Sequence, residues 1–130
     1  MNLSKSNSNN FYYSKGKGQP MVFLHGFPDC PENYENQMNY FSELGYEVFC
    51  PFMPGYHPED KELSSYDPTT ISLEIIKFIN SLDVGPVTLV GHDWGSSAAY
   101  GVASMEPSMV SRLITLSVPH GSKLVEAILT

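Results

Sequence analysis

Pro86-Val87-Thr88-Leu89-Val90 leads into Gly91-His92-Asp93-Trp94-Gly95, and Ser96-Ser97-Ala98-Ala99-Tyr100 leads out. The first run is apolar and partly β-branched and the last is small and helix-compatible, so the segment reads as strand, sharp turn, helix. A strand that reverses directly into a helix strains the backbone of its tip residue and leaves no space for side chains beside it. Gly91 and Gly95, two places either side of Asp93, meet that requirement. Asp is also common in ordinary turns. The paired glycines and the apolar strand leading in favour an elbow that presents the Asp93 carboxylate as a nucleophile. Attack by a carboxylate joins the attacked group to the protein through an ester.

A second motif has the same layout. His25-Gly26-Phe27-Pro28 follows the apolar run Met21-Val22-Phe23-Leu24. HGFP and GHDWG, each after a predicted strand and in this order, resemble the α/β-hydrolase family, specifically its epoxide-hydrolase branch. The resemblance runs from about residue 11 onward. An ester on Asp93 suits opening of an epoxide or displacement of a halide better than ester hydrolysis.

The resemblance implies an α/β fold with a mostly parallel sheet and flanking helices, matching the N-terminal half of an α/β-hydrolase fold. It implies Asp93 as nucleophile, with the backbone N–H groups of Phe27 and Trp94 as oxyanion hole. His25, Gly26, Pro28, Gly91 and Gly95 would support that site structurally. The substrate would be a small epoxide or haloalkane, and no metal or organic cofactor is expected. A haloalkane dehalogenase is the alternative, because it uses the same Asp followed by a Trp that holds the leaving halide. HGFP, in place of an Asn-bearing loop, favours the epoxide.

The family also needs a histidine oriented by a second acid to activate water, and lid tyrosines to polarise the epoxide oxygen. No segment of this chain matches them. His25 and His92 read as structural, His57 as solvated in a proline-rich loop, and His120 as local structure after the last strand. The expected organisation is a disordered tail over 1–10, a partial core over 11–121 and the start of a truncated lid over 122–130. An isolated chain of that kind is expected to be inactive unless a complementing C-terminal half supplies the base. A non-catalytic remnant of a truncated gene and self-association are the other expectations.

With 130 residues, 42% of them hydrophobic, the chain can bury one core. A net charge of −7 with seven Lys and Arg in all argues against a nucleic-acid surface, which needs clustered cations. The polar first ten residues lack the apolar stretch of a secretory signal, and no later run reaches membrane-spanning length, so a cytoplasmic protein is expected. Cys30 and Cys50 follow two predicted strands. A reducing compartment makes a disulfide between them the less favoured reading, and neither has metal-ligand spacing to another Cys or His.

Along the chain, 11–13 reads as a short edge strand and 21–24 as a strand covered on both faces. Tyr34, Met38 and Phe41 recur at helical spacing, Leu44 extends the face, and Gly45 stops it. Residues 46–50 form the next strand. Ile71, Ile75, Phe78, Ile79 and Leu82 make the clearest helical stripe, with Asp67 as N-cap and Pro68 at the first helical position. A helix over 95–106, a strand over 112–117 and a helix over 122–129 complete the expected alternation.

Overall fold

The computed structural model describes residues 2–129. In chain order the elements are β1 (Leu3–Lys5), β2 (Phe11–Lys15), β3 (Gln19–Leu24), α1 (Glu35–Glu43), β4 (Tyr46–Pro51), α2 (Pro68–Leu82), β5 (Val87–His92), α3 (Trp94–Met105), β6 (Val110–Leu116) and α4 (Gly121–Leu129). Short 3-10 turns at Pro31–Tyr34 and Pro107–Met109 precede α1 and β6. The strands form one six-stranded sheet in the order β1-β2-β4-β3-β5-β6. From β4 to β6 all neighbours are parallel, and β1 and β2 add an antiparallel edge. Strand-helix alternation gives this result because a parallel neighbour can be reached only by a crossover, which the helices supply.

The two faces of the sheet bury separate apolar clusters. Val22, Leu24, Phe49 and Leu89 pack with Ile75, Phe78 and Ile79 of α2 and Ala98, Ala99 and Val102 of α3. Met21, Phe23, Val48 and Val90 face the other way, onto Met38 of α1 with Tyr34 and Phe41 at its margin. β3, with alternate residues in the two clusters, is covered on both sides as a central parallel strand should be.

Local signals explain the helix ends. Asp67 Oδ1 accepts the N–H of Thr70 at 2.9 Å, and Pro68 opens α2 with the one residue that has no N–H to waste. Hydrogen bonds from Ser65 and Thr70 hold the Asp67 carboxyl down to about 2. At α1 the stripe stops earlier than the spacing predicts. Leu44 is the C-cap and is exposed, because the helix has ended and Gly45 at φ 92° turns the chain towards β4.

Four further expectations need correction. The 1–10 segment is not a disordered tail over its described part, since Leu3 pairs with Tyr13, Ser4 with Tyr12 and Lys5 with Phe11. Its Ser and Asn residues build the reversal that makes this possible: Asn10 N–H donates to Ser6 Oγ at 3.1 Å and Ser6 N–H to the Asn10 carbonyl at 2.8 Å. Met1 of that segment and Thr130 of the 122–130 segment lie outside the described residues. β2 is therefore an inner strand, and β1 is the edge. His57 is not merely solvated. Its ring stacks on Phe11 at 3.8 Å and meets Phe52 edge-on at 4.9 Å. The last strand begins at Val110, two residues before the expected start. Cys30 and Cys50 are free thiols, as expected, with Cys50 buried.

Two features fix the top of the sheet. The start of α3 crosses the end of β3 so closely that a Cβ on Gly95 would sit 2.0 Å from the Leu24 carbonyl oxygen and 2.7 Å from that of His25. His25 itself is fully buried just beyond β3. Its Nε2 accepts the N–H of Met53 at 2.9 Å, which leaves Nδ1 protonated to donate to the Gly26 carbonyl at 2.9 Å. That single ring ties the HGFP loop to the segment leaving β4. Burial pushes its pKa below the ordinary histidine value.

Gly95→Val should cost at least about 1 to 3 kcal/mol, because the obstructing atoms are backbone and cannot swing aside. Urea denaturation followed by circular dichroism measures the loss, and an unchanged midpoint would argue against this crossing. For His25, the folded state holds the neutral ring while the unfolded chain takes up a proton below its ordinary value of 6.5. Stability should accordingly be level above that pH and fall as the pH drops below it. Urea midpoints across this window measure the fall, and His25→Gln should flatten it.

Candidate active site

The elbow is present. Asp93, between β5 and α3, has φ 58° and ψ −123°, a conformation that non-glycine residues rarely adopt and that costs roughly 1 to 3 kcal/mol. The surrounding contacts account for its persistence. Asp93 N–H donates to the Leu116 carbonyl at 3.2 Å, tying the tip to the end of β6. The Asp93 carbonyl accepts Ser96 N–H at 2.9 Å and so begins α3.

Glycines clear the space around that tip. A Cβ on Gly91 would lie 2.4 Å from the Gly95 carbonyl oxygen, and one on Gly26 would lie 2.4 Å from Asp93 Cβ. Gly26 thus lets the HGFP loop approach the elbow, and Gly91 lets the strand fold back against the helix. Both requirements come from backbone or Cβ positions, which side-chain rotation cannot relieve. The loop continues through a cis bond from Phe27 to Pro28.

The approach produces a defined geometry at the carboxylate. Asp93 Oδ2 accepts the backbone N–H of Trp94 at 2.6 Å and that of Phe27 at 3.1 Å. Two amides from different parts of the chain thus converge on one oxygen, and the start of α3 adds the positive end of its dipole. Oδ1 makes no hydrogen bond to the described residues. The side chains of Phe27 and Trp94 are 65% and 58% exposed, so neither is held as core packing. Chemically, this is a carboxylate with one oxygen held by two backbone amides and the other without a hydrogen bond to the described residues.

Of the histidines, none hydrogen-bonds Asp93 among the described residues. His25 is committed to Met53 and Gly26, while His57 accepts Glu59 N–H and lies between phenyl rings. His120 lies within 2.8 Å of the Ser122 hydroxyl and packs edge-on against Tyr100, and His92 is half-buried. Among the described residues there is no group of three or more His, Cys, Asp or Glu side chains that could hold a metal ion. No helix among them is long and apolar enough to cross a membrane.

One supporting residue escaped the sequence reading. Ser96 is fully buried, its hydroxyl 2.8 Å from the carbonyls of both Gly91 and Leu116, and it also accepts Leu116 N–H at 3.2 Å. It joins β5, β6 and the first turn of α3 at one point beneath Asp93. A serine at the third place after the tip looks in sequence like any small helix residue. Only its burial between two strand ends distinguishes it. A cleft of about 190 Å³ was also unforeseen, and it adjoins the elbow through Trp94.

The profile of the alpha/beta hydrolase fold matches residues 19–128. An epoxide hydrolase of Caballeronia sordidicola is 36% identical over 109 residues, which cover 81% of this chain and 32% of that protein. Epoxide hydrolase 2 of Siraitia grosvenorii is 32% identical over 118 residues, covering 89% of this chain and 37% of that one. The crystal structure of an epoxide hydrolase from Vigna radiata superposes with a TM-score of 0.81 at 32% identity, covering 92% of this chain and 40% of the other. The chain spans about a third of the length of the curated relatives it matches. The HGFP loop, the elbow and strands β3 to β6 that carry them lie within the matched span, and the chain belongs to the alpha/beta hydrolase fold family, where it is similar to epoxide hydrolases.

Proposed function

We propose that this chain carries the nucleophile and oxyanion hole of an epoxide hydrolase. The observation that carries the reading is the Asp93 carboxylate, with Oδ2 held by the Phe27 and Trp94 amides and Oδ1 free. Oδ1 attacks an epoxide carbon, the C–O bond breaks, and the released alkoxide takes a proton, leaving a hydroxyalkyl ester on Asp93. Oδ2 becomes the ester carbonyl oxygen without leaving its two donors. Water added to that carbonyl then develops negative charge where the amides already point, and collapse releases the diol and restores the carboxylate.

The second step needs a base, and no histidine here bonds to Asp93 or its hole. General-base assistance is typically worth about 10² to 10⁴ in rate. The 130-residue chain on its own therefore forms the ester and releases it slowly at best, and a complementing polypeptide would supply turnover. Displacement of a halide by the same oxygen, with Trp94 beside the leaving group, is the second reading, favoured only by the exposed indole. The proposed setting is the cytoplasm.

Intact-mass spectrometry after incubation with small epoxides and haloalkanes tests the first step. The expected result is one epoxide adduct per chain, mapped to Asp93 and abolished by Asp93→Asn. An adduct only on Cys30 or Cys50 would be thiol alkylation and would sink the reading. A haloalkane adduct on Asp93 without an epoxide one would favour dehalogenation. Multiple turnovers to diol by the pure chain, abolished by Asp93→Asn, would overturn the proposed absence of a base.

Association is proposed from β6. It ends the sheet, and its Leu113, Ile114 and Leu116 are exposed, as are Leu124, Val125 and Ile128 of α4. An open strand edge beside apolar surface invites pairing with another chain. Light scattering at several concentrations should show growth of the mass with concentration. A cooperative monomer throughout would contradict it.

A further inference from the structure

The cleft next to the elbow is separate from the carboxylate. Asp93 does not line it. Its walls come from three places: Met53 and Tyr56 after β4, Tyr66 and Ile71 around the start of α2, and Trp94 and Ser97 on the first turns of α3. Trp94 is the shared partition, since its backbone donates to Asp93 Oδ2 and the residue also lines the cleft.

The lining is mainly carbon with a few placed hydroxyls, the usual chemistry of a small-molecule pocket. The hydroxyls of Tyr56 and Ser97 form no hydrogen bond with any other described residue. Tyr66 Oη accepts the N–H of Leu63 at 3.2 Å, so its own proton remains to be donated. Burial, aided by the Asp93 and Asp29 carboxylates, pushes the Tyr56 phenol above its ordinary range. The Tyr56 ring is braced edge-on against the buried His25, with centroids 4.9 Å apart.

We propose that this cleft seats the non-reacting arm of the substrate and selects an arm with a flat, ring-sized apolar body that carries a hydrogen-bond acceptor. Tyr56 and Ser97 are its specificity-determining donors, and Trp94 is the wall that aligns the arm with Asp93. The inference rests on the reading of Asp93 as an epoxide-opening nucleophile. It extends that reading from reaction type to substrate class: an epoxide on an aryl ring substituted with an ether or carbonyl, in preference to a bare alkyl epoxide.

Trp94 is the one tryptophan of the chain, so its emission reports the cleft directly. The probe is 4-methoxyphenyl-ethane-1,2-diol, which has the arm and no electrophile, titrated into the full chain. A saturable emission change is expected. Tyr56→Phe should weaken it roughly threefold, the worth of one hydrogen bond. Ser97→Phe and Ile71→Phe, filling the cleft from opposite walls, should each abolish it; two variants guard against one of them misfolding. In the alkylation assay, 4-methoxystyrene oxide should outpace propylene oxide on Asp93, and the ratio should fall in both filled variants. A linear, non-saturable response, or a filled variant that folds and binds as the parent does, overturns the cleft. Saturable diol binding without any Asp93 ester would leave the cleft standing and defeat the epoxide reading. An Asp93 ester from propylene oxide without diol binding would do the reverse.

Discussion

The crossing of α3 over the end of β3 is the constraint on which the rest of the molecule depends. With Gly95 against the Leu24 carbonyl and Gly91 against Gly95, helix and strands meet at backbone contact. That contact forces Asp93 into a positive φ and raises its carboxylate above the sheet edge. The strain has to be met elsewhere, and it is met by the buried two-sided core of β3 and β5, by the bond from the Ser96 hydroxyl to the Gly91 carbonyl and by the bond from Asp93 N–H to the Leu116 carbonyl. The position of the Asp93 carboxylate is thus a product of packing, with the acid itself contributing little to its own placement.

The HGFP loop meets that tip with little clearance. Gly26 is there because Asp93 Cβ leaves no space for another carbon, and Phe27 then lies where its amide reaches Oδ2. His25 holds the base of the loop by bonding in two directions with a ring that burial keeps neutral. A histidine this near the Asp93 carboxylate invites a proton-carrying role. Its two partners occupy both ring nitrogens, and the role is architectural.

Much of this was legible in the residues because it is written in short-range terms. Glycine offsets around Asp93, the apolar stripe of α2 and the Asp67-Pro68 start each depend on a few neighbours in sequence. What was not legible depends on distant partners. Leu3–Lys5 looks like polar tail until β2 offers it an edge, and His57 looks like loop until Phe11 and Phe52 close on it. Ser96 likewise finds its partners only once β5, β6 and α3 meet, and the Trp94 cleft forms only once the segment after β4, α2 and α3 converge. The carboxylate with its two amides was readable for the same reason: one donor is its immediate neighbour, and the other is carried by a motif with its own glycine.

The hydrogen bond from Asp93 N–H to the Leu116 carbonyl joins a residue in a rarely adopted backbone conformation to the last residue of the exposed outer strand β6. When the outer strand frays, that amide loses its acceptor and the tip loses one of the restraints that hold it upright. The exchange of a single backbone proton with solvent therefore acts as a clock for both events. Sheet edge and elbow tip share one opening equilibrium, so whatever covers the edge also sets how long the carboxylate stays in place.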